Sequence, residues 1–165
     1  MTTDAEITTL PYASFGKRVY AYLIDQSVIQ LLALAIAYPI GKMHMQGQPE
    51  SMEALLDFLN WMMPVITLIQ IVIALLYGTL FEGSSSGATW GKRYCGLRVC
   101  TEEGESLSYF EAFLRNVGVN LIYMVLYFNF IFALLVLPIY LTPLFLEKRQ
   151  TSYDQLLKLL VIRTK

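Results

Sequence analysis

The chain has 165 residues, of which 56% are hydrophobic and only 15% charged, with a formal net charge of −1 at pH 7. That is more apolar than an average soluble domain, and twelve basic against thirteen acidic residues form no basic face for a phosphate backbone, which excludes nucleic acid as a partner. The apolar residues come in blocks, with the polar and charged ones in a short head, two connecting loops and a tail, as in an integral membrane protein.

Residues 1–16 carry Asp4 and Glu6 and no basic residue, so they lack the positive start of a secretory signal, and no small-residue cleavage pattern closes the first apolar block. The block is expected to remain as an anchor behind a cytoplasmic N-terminal tail. It runs over residues 22–40 and is apolar apart from Asp25, Gln26, Ser27 and Gln30 near its start. A helix of that length rises about 28 Å, close to the hydrocarbon thickness of a bilayer. Pro39 and Gly41 supply an expected stop.

The loop that follows repeats Met52, Leu55, Leu56 and Leu59 at helical spacing with Glu50, Glu53 and Asp57 between them, which predicts a short amphipathic helix on the membrane or against the bundle. Its acidic residues are expected to form a solvated face. His44, alone in the chain, is expected to be an exposed bystander. The second block, residues 61–81, holds no charged residue, with Trp61 at an interfacial position and Pro64 expected in the first turn.

The second loop opens on glycines and serines and reaches Thr89-Trp90-Gly91-Lys92-Arg93. A nucleotide-binding P-loop would need glycine at Ser86 and Ser or Thr at Arg93, so that match fails twice. Leu97 and Val99 alternate with Arg98 and Cys100, and Gly104 marks a turn, which predicts a small hairpin returning through residues 105–107. Cys95 and Cys100 lack further Cys or His neighbours for a metal site and are expected to be reduced, non-catalytic thiols. Ser108 and Glu111 form a capping-box signature ahead of an apolar stripe at Phe110, Phe113, Leu114 and Val117, so a helix is expected along the interface, with Arg115 near headgroup depth where it can meet lipid phosphate or a carboxylate of the bundle.

The third block, residues 117–146, is uncharged over thirty residues, too long for one straight span and too short for two full ones. Asn129, Pro138 and Pro143 interrupt it. Lys17, Arg18, Lys92, Arg93, Arg98 and Arg115 flank the blocks on one side, and the tail adds Lys148, Arg149, Lys158, Arg163 and Lys165. The positive-inside rule puts head, second loop and tail in the cytoplasm, and an inside tail requires the third block to cross twice or to dip and return, one long tilted or kinked span being the alternative.

Asp25 is the outlier. A carboxylate in an apolar span costs on the order of 2.5 to 3.5 kcal/mol at mid-membrane, less nearer the surface, and such a residue normally faces the protein interior. Arg18 lies about two helical turns before it, on the same face, so the two can pair or share water, with Gln26 and Gln30 adding polar atoms on neighbouring faces. The pair reads either as a staple for helix packing or as a proton- or cation-binding carboxylate. Asp154 precedes Lys158 by four residues, a spacing that suits a helical ion pair. No nucleophile with a base, metal cluster or phosphate loop is visible, so no enzyme, cofactor or metal is expected.

Together these residues resemble the RDD family of small bacterial and archaeal membrane proteins, named for an arginine and two aspartates. Arg18 and Asp25, in the run Gly16-Lys17-Arg18-Val19-Tyr20-Ala21-Tyr22-Leu23-Ile24-Asp25, are similar to the opening arginine and first aspartate. The middle signature resembles Gly83, Gly87, Thr89, Gly91-Lys92, Gly96-Leu97-Arg98-Val99 and Gly104, with Arg115 before the next block, and Asp154, after Arg149-Gln150, is similar to the second aspartate. Beyond Asp154 the family's glycine turn is missing, so the tail is expected as an amphipathic helix or a continuous apolar strand against the membrane.

The resemblance implies a prokaryotic inner-membrane protein: an all-α integral membrane helical bundle of three or four crossings, with a small cytoplasmic hairpin and interfacial amphipathic helices, in one domain over residues 17–165. Its expected polar cluster is Arg18, Asp25 and Asp154, supported by Gln26, Gln30 and Arg115. The family suggestion is transport or ion exchange. The alternative is a non-catalytic accessory or scaffold subunit, and the expected partners are membrane lipids and either further copies of the chain or another membrane subunit.

Overall fold

The computed structural model describes residues 12–45, 51–128 and 150–164. In chain order the elements are α1 (Phe15–His44), α2 (Met52–Glu82), the short α3 (Trp90–Tyr94), β1 (Leu97–Thr101), α4 (Tyr109–Phe128), the short α5 (Ser152–Leu156) and β2 (Leu159–Arg163). The head residues 1–11 and the second half of the third apolar block lie outside the described residues, and with them the expected number of crossings.

α1 and α2 are each long and apolar enough to cross a bilayer. At 30 and 31 residues, they rise about 45 Å, more than the hydrocarbon core, so their ends project beyond it. Apart from Ile29 the inside of α1 is small or polar: Ala21, Asp25, Ile29, Ala33, Ala37 and Gly41, every fourth residue, are buried. Its outside carries Leu23, Leu31, Leu34, Ile36 and Tyr38, all exposed. A water-soluble helix would reverse that distribution; here small residues let helix backbones approach while large apolar ones face lipid. α4 follows the same rule, burying Ala112, Arg115, Asn116 and Asn120 while Phe110, Phe113, Leu114 and Val117 point outward.

Three sequence expectations change here. Pro39 does not end α1, which continues through it to His44. Within lipid, one missing backbone bond costs less than a terminated helix with several unsatisfied groups. Gly41 serves packing instead, since a Cβ there would lie 3.3 Å from the Met62 Cε. The amphipathic stretch over residues 52–59 is no separate element: Ser51 caps it by accepting from the Ala54 N–H at 3.1 Å, and it runs straight into the second block as the first turns of α2. Pro64 therefore lies inside α2 and not in its first turn. His44 is exposed yet stacks on Trp61 with ring centroids 3.7 Å apart, closing the α1 to α2 connection.

At the opposite end of these helices sits a two-stranded antiparallel sheet. β1 forms where alternation predicts it, but the expected return strand through 105–107 does not. Gly104, at φ 82°, closes a turn in which the Thr101 N–H donates to the Glu105 carbonyl at 3.0 Å, and β1 pairs with β2 from the tail in the register Leu97 to Arg163, Val99 to Val161 and Thr101 to Leu159. The physical reason lies in apolarity: Leu159, Leu160, Val161 and Ile162 are all buried, and no such run exists at residues 105–107. Tyr12 bridges Ile162 on the other edge of β2. Ala13, Ala21, Leu97, Val99, Leu107, Ala112, Leu159 and Val161 form a core that joins this sheet to the helix ends.

Candidate functional site

Asp25 sits about one turn of apolar helix beyond Ala21 on the buried face of α1 and is 7% exposed. Three neutral donors fill its two oxygens. The Tyr77 hydroxyl of α2 donates to Oδ1 at 2.7 Å, the Gly91 N–H to Oδ1 at 2.8 Å, and the Thr89 hydroxyl to Oδ2 at 2.6 Å. Tyr77 also accepts from the Trp90 N–H at 3.0 Å, so α1, α2 and α3 meet on one carboxylate. Gly91 is required sterically: a Cβ there would lie 2.1 Å from the Ala21 carbonyl oxygen and 2.9 Å from the Asp25 Cγ. Only a residue without a side chain lets this backbone amide reach the acid.

A second cluster adjoins it. Glu82, the last residue of α2 and 1% exposed, accepts from Arg115 Nη1 at 3.0 and 2.8 Å, from the Asn116 amide at 3.1 Å and from Lys92 Nζ. Arg115 also donates through Nε to Asp154 Oδ1 at 2.8 Å. Asp154 accepts from the Thr151 hydroxyl at 2.7 Å and pairs with Arg18 at 3.9 Å. The charges thus alternate from Lys92 through Glu82, Arg115 and Asp154 to Arg18, tying α3, α2, α4, α5 and α1 together. Buried charges persist only when paired and hydrogen-bonded in this way. Burial pushes the Lys92 ammonium below the usual lysine range against the opposing pull of Glu82. α4 approaches closely enough to deliver Asn116 because residue 78 is glycine: a Cβ there would stand 2.0 Å from the Asn116 Oδ1.

Both clusters line one cavity of about 360 Å³ between α1, α2 and α4. Its walls include Val19, Ile29, Ala74 and Val119, and charged groups gather where the helices meet the sheet. Of the residues singled out by sequence, Arg18, Asp25, Gln26, Arg115 and Asp154 line it. Gln30 instead accepts from the Gln70 amide at 2.7 Å, linking α1 to α2. The partner of Arg18 across the sequence is Asp154, while Asp25 is held by Tyr77, Thr89 and Gly91. Arg115 is 4% exposed and meets carboxylates of the bundle. Among the described residues no group of three or more His, Cys, Asp or Glu side chains is placed to hold a metal ion.

Sequence reasoning missed Glu82, Lys92, Tyr77 and Asn116 as site residues. Glu82 offered one signal, a carboxylate abutting an uncharged apolar block, but it fell one residue beyond the boundary of that block. Tyr77 and Asn116 gave none, because aromatic and amide residues are ordinary in such helices.

No solved structure matches the chain. A protein of Bacillus subtilis (strain 168) named Uncharacterized protein YxaI is 29% identical over 125 residues, covering 72% of this chain and 83% of the relative. The RDD family model matches residues 12–158, from the bridge at Tyr12 through Arg18, Asp25, Glu82, Arg115 and Asp154 to the turn before β2. With that match over most of its length, and with at least two membrane-spanning helices in an all-α bundle capped by one small sheet, the chain belongs to the RDD family of membrane proteins.

Proposed function

We propose that this protein exchanges protons for a small cation across the membrane, and that Asp25 is the carboxylate that gains and loses the proton. One observation carries the reading: among the described residues neutral donors alone hydrogen-bond to Asp25, whereas Glu82 and Asp154 are bound in ion pairs. Protonating Glu82 or Asp154 would break one ion pair of the buried Arg115 guanidinium, at a cost of several kcal/mol. Protonating Asp25 weakens the hydrogen bonds it accepts from two hydroxyls and an amide, and removes no ion pair from a guanidinium. The charge ladder through Arg18, Asp154, Arg115 and Glu82 then serves as the frame that holds the helices around the cavity while Asp25 changes state. A chain this small encloses little volume, so exchange implies assembly with further copies or with another membrane subunit.

The test is flux in proteoliposomes under an imposed pH gradient, reading internal pH with Na⁺ or K⁺ outside. Wild-type protein is expected to dissipate the gradient in a cation-dependent way, and Asp25→Asn to abolish that flux. Unchanged flux in the variant removes Asp25 from the role. Absence of flux from intact, purified wild type favours a non-catalytic accessory subunit. What supports that second reading is the completeness of pairing at Glu82 and Asp154, which suits a rigid scaffold equally well.

A further inference from the structure

We propose that Lys92 is a second proton-exchanging group of this site, its ammonium releasing a proton as the Asp25 carboxylate takes one, an inference that rests on the exchange reading above. Adjacent residues of α3 serve the two carboxylates: the Gly91 N–H binds Asp25 at 2.8 Å, and the Lys92 ammonium binds Glu82. Both Lys92 and Asp25 line the same cavity.

Glu82 is already matched by Arg115, whose Nη1 reaches both of its oxygens, and by the Asn116 amide. Lys92 is therefore the second cation on one carboxylate. The two differ chemically in one decisive respect. A guanidinium keeps its proton under all protein conditions, while a buried ammonium can give one up. Of the cations on Glu82, Lys92 alone can change charge.

The groups that act on Lys92 come from three packed helices: Asp25 of α1, Glu82 of α2 and Arg115 of α4. Burial and Arg115 disfavour the ammonium, while Glu82 and Asp25 favour it. When Asp25 is neutralised, one of the two supporting negative charges disappears and the repulsion from Arg115 remains. In a buried site such an imbalance is relieved by loss of the proton. The step balances: carboxylate plus ammonium become carboxylic acid plus amine, the proton count is unchanged, and the summed charge of the pair is zero before and after. Charge and proton can then be moved through the site without leaving either group as a lone buried ion.

The measurement is a pH titration of the Lys92 Nζ resonance in protein labelled with ¹⁵N-lysine and held in lipid nanodiscs, the signal assigned by its absence from Lys92→Arg. The wild-type midpoint is expected below that of a free lysine at about 10.4, and Asp25→Asn is expected to lower it further. Tyr77→Phe, which removes one donor from Asp25 and keeps the acid, is expected to move it in the same direction by less. Equal midpoints in wild type and both variants overturn the linkage. This titration requires no transport, so its outcome is separate from that of the flux assay. In that assay Lys92→Arg, which keeps the cation and fixes its proton, is expected to flatten the pH dependence of flux. A wild-type pH profile in Lys92→Arg overturns the role of Lys92 while leaving that of Asp25 standing.

Discussion

Asp25 is conspicuous in the sequence because a charge interrupts an apolar block, and its burial follows from the same fact. What the sequence hides is the set of groups that receive it, which lie 52 to 66 residues away and include a backbone amide with no side chain to read. Gly91 makes this dependence testable. Adding a methyl group at a point 2.1 Å from the Ala21 carbonyl forces α3 away from α1 and removes the Gly91 to Asp25 hydrogen bond. Gly91→Ala is expected to lower stability by about 2 kcal/mol or more, since a hydrogen bond to a buried charge is lost and the contact is overpacked. Gly16→Ala, where a Cβ would meet nothing within 4 Å, is the matched control and is expected to be neutral or slightly stabilising. Thermal unfolding in detergent reads both; a Gly91→Ala midpoint equal to wild type contradicts the steric account.

Elements whose signals are local are legible, and those whose partners are distant are not. The Ser108 and Glu111 capping box forms as its spacing predicts, with the Ser108 N–H donating to Glu111 at 2.8 Å and its hydroxyl at 2.7 Å. Those bonds hold the Glu111 carboxyl below the usual glutamate range, so its contribution is present above that range and is lost as pH falls through the lowered value. β1 is equally visible from alternation, but β2 lies about sixty residues downstream, and alternation carries no information about which strand it will meet. The tail reaches β2 without the glycine turn of the family: Lys158 takes a φ of 53° and donates its N–H to the Gln155 carbonyl at 3.1 Å. A side chain in that left-handed conformation costs about 1 to 2 kcal/mol. Lys158→Gly relieves that strain at the expense of greater freedom in the unfolded chain, leaving a net stabilisation of about 0.5 to 1 kcal/mol. A lower unfolding midpoint for this exposed substitution would show that the turn is unstrained.

For the whole molecule, the contact between Arg115 and Asp154 at 2.8 Å places the two residues that bracket the uncharged third block at the same end of the bundle. Arg18 and Glu82 meet them there, so the start of α1, the end of α2, the start of α4 and the tail gather at one end of the bundle. That end also carries Lys17, Lys92, Arg93 and Arg98, while the far end carries Lys42 and His44 against Glu53 and Asp57. The positive-inside rule predicts that the sheet and its clusters face the cytoplasm. The two cysteines report on this directly, because both lie at the sheet end and differ in access: Cys95 is half-buried and Cys100, in β1, is fully buried. Burial raises both thiols above their ordinary range, which slows alkylation at neutral pH and makes access the deciding factor at Cys100. A membrane-impermeant maleimide is expected to modify Cys95 in inverted membrane vesicles and not in right-side-out spheroplasts, with Cys100 reacting only after denaturation. Single-cysteine variants, Cys95→Ser and Cys100→Ser, assign the label. Modification of Cys95 from outside intact cells would reverse the orientation of the bundle and put the Asp25 cavity at the outer face, and the direction of proton loading at Asp25 would reverse with it.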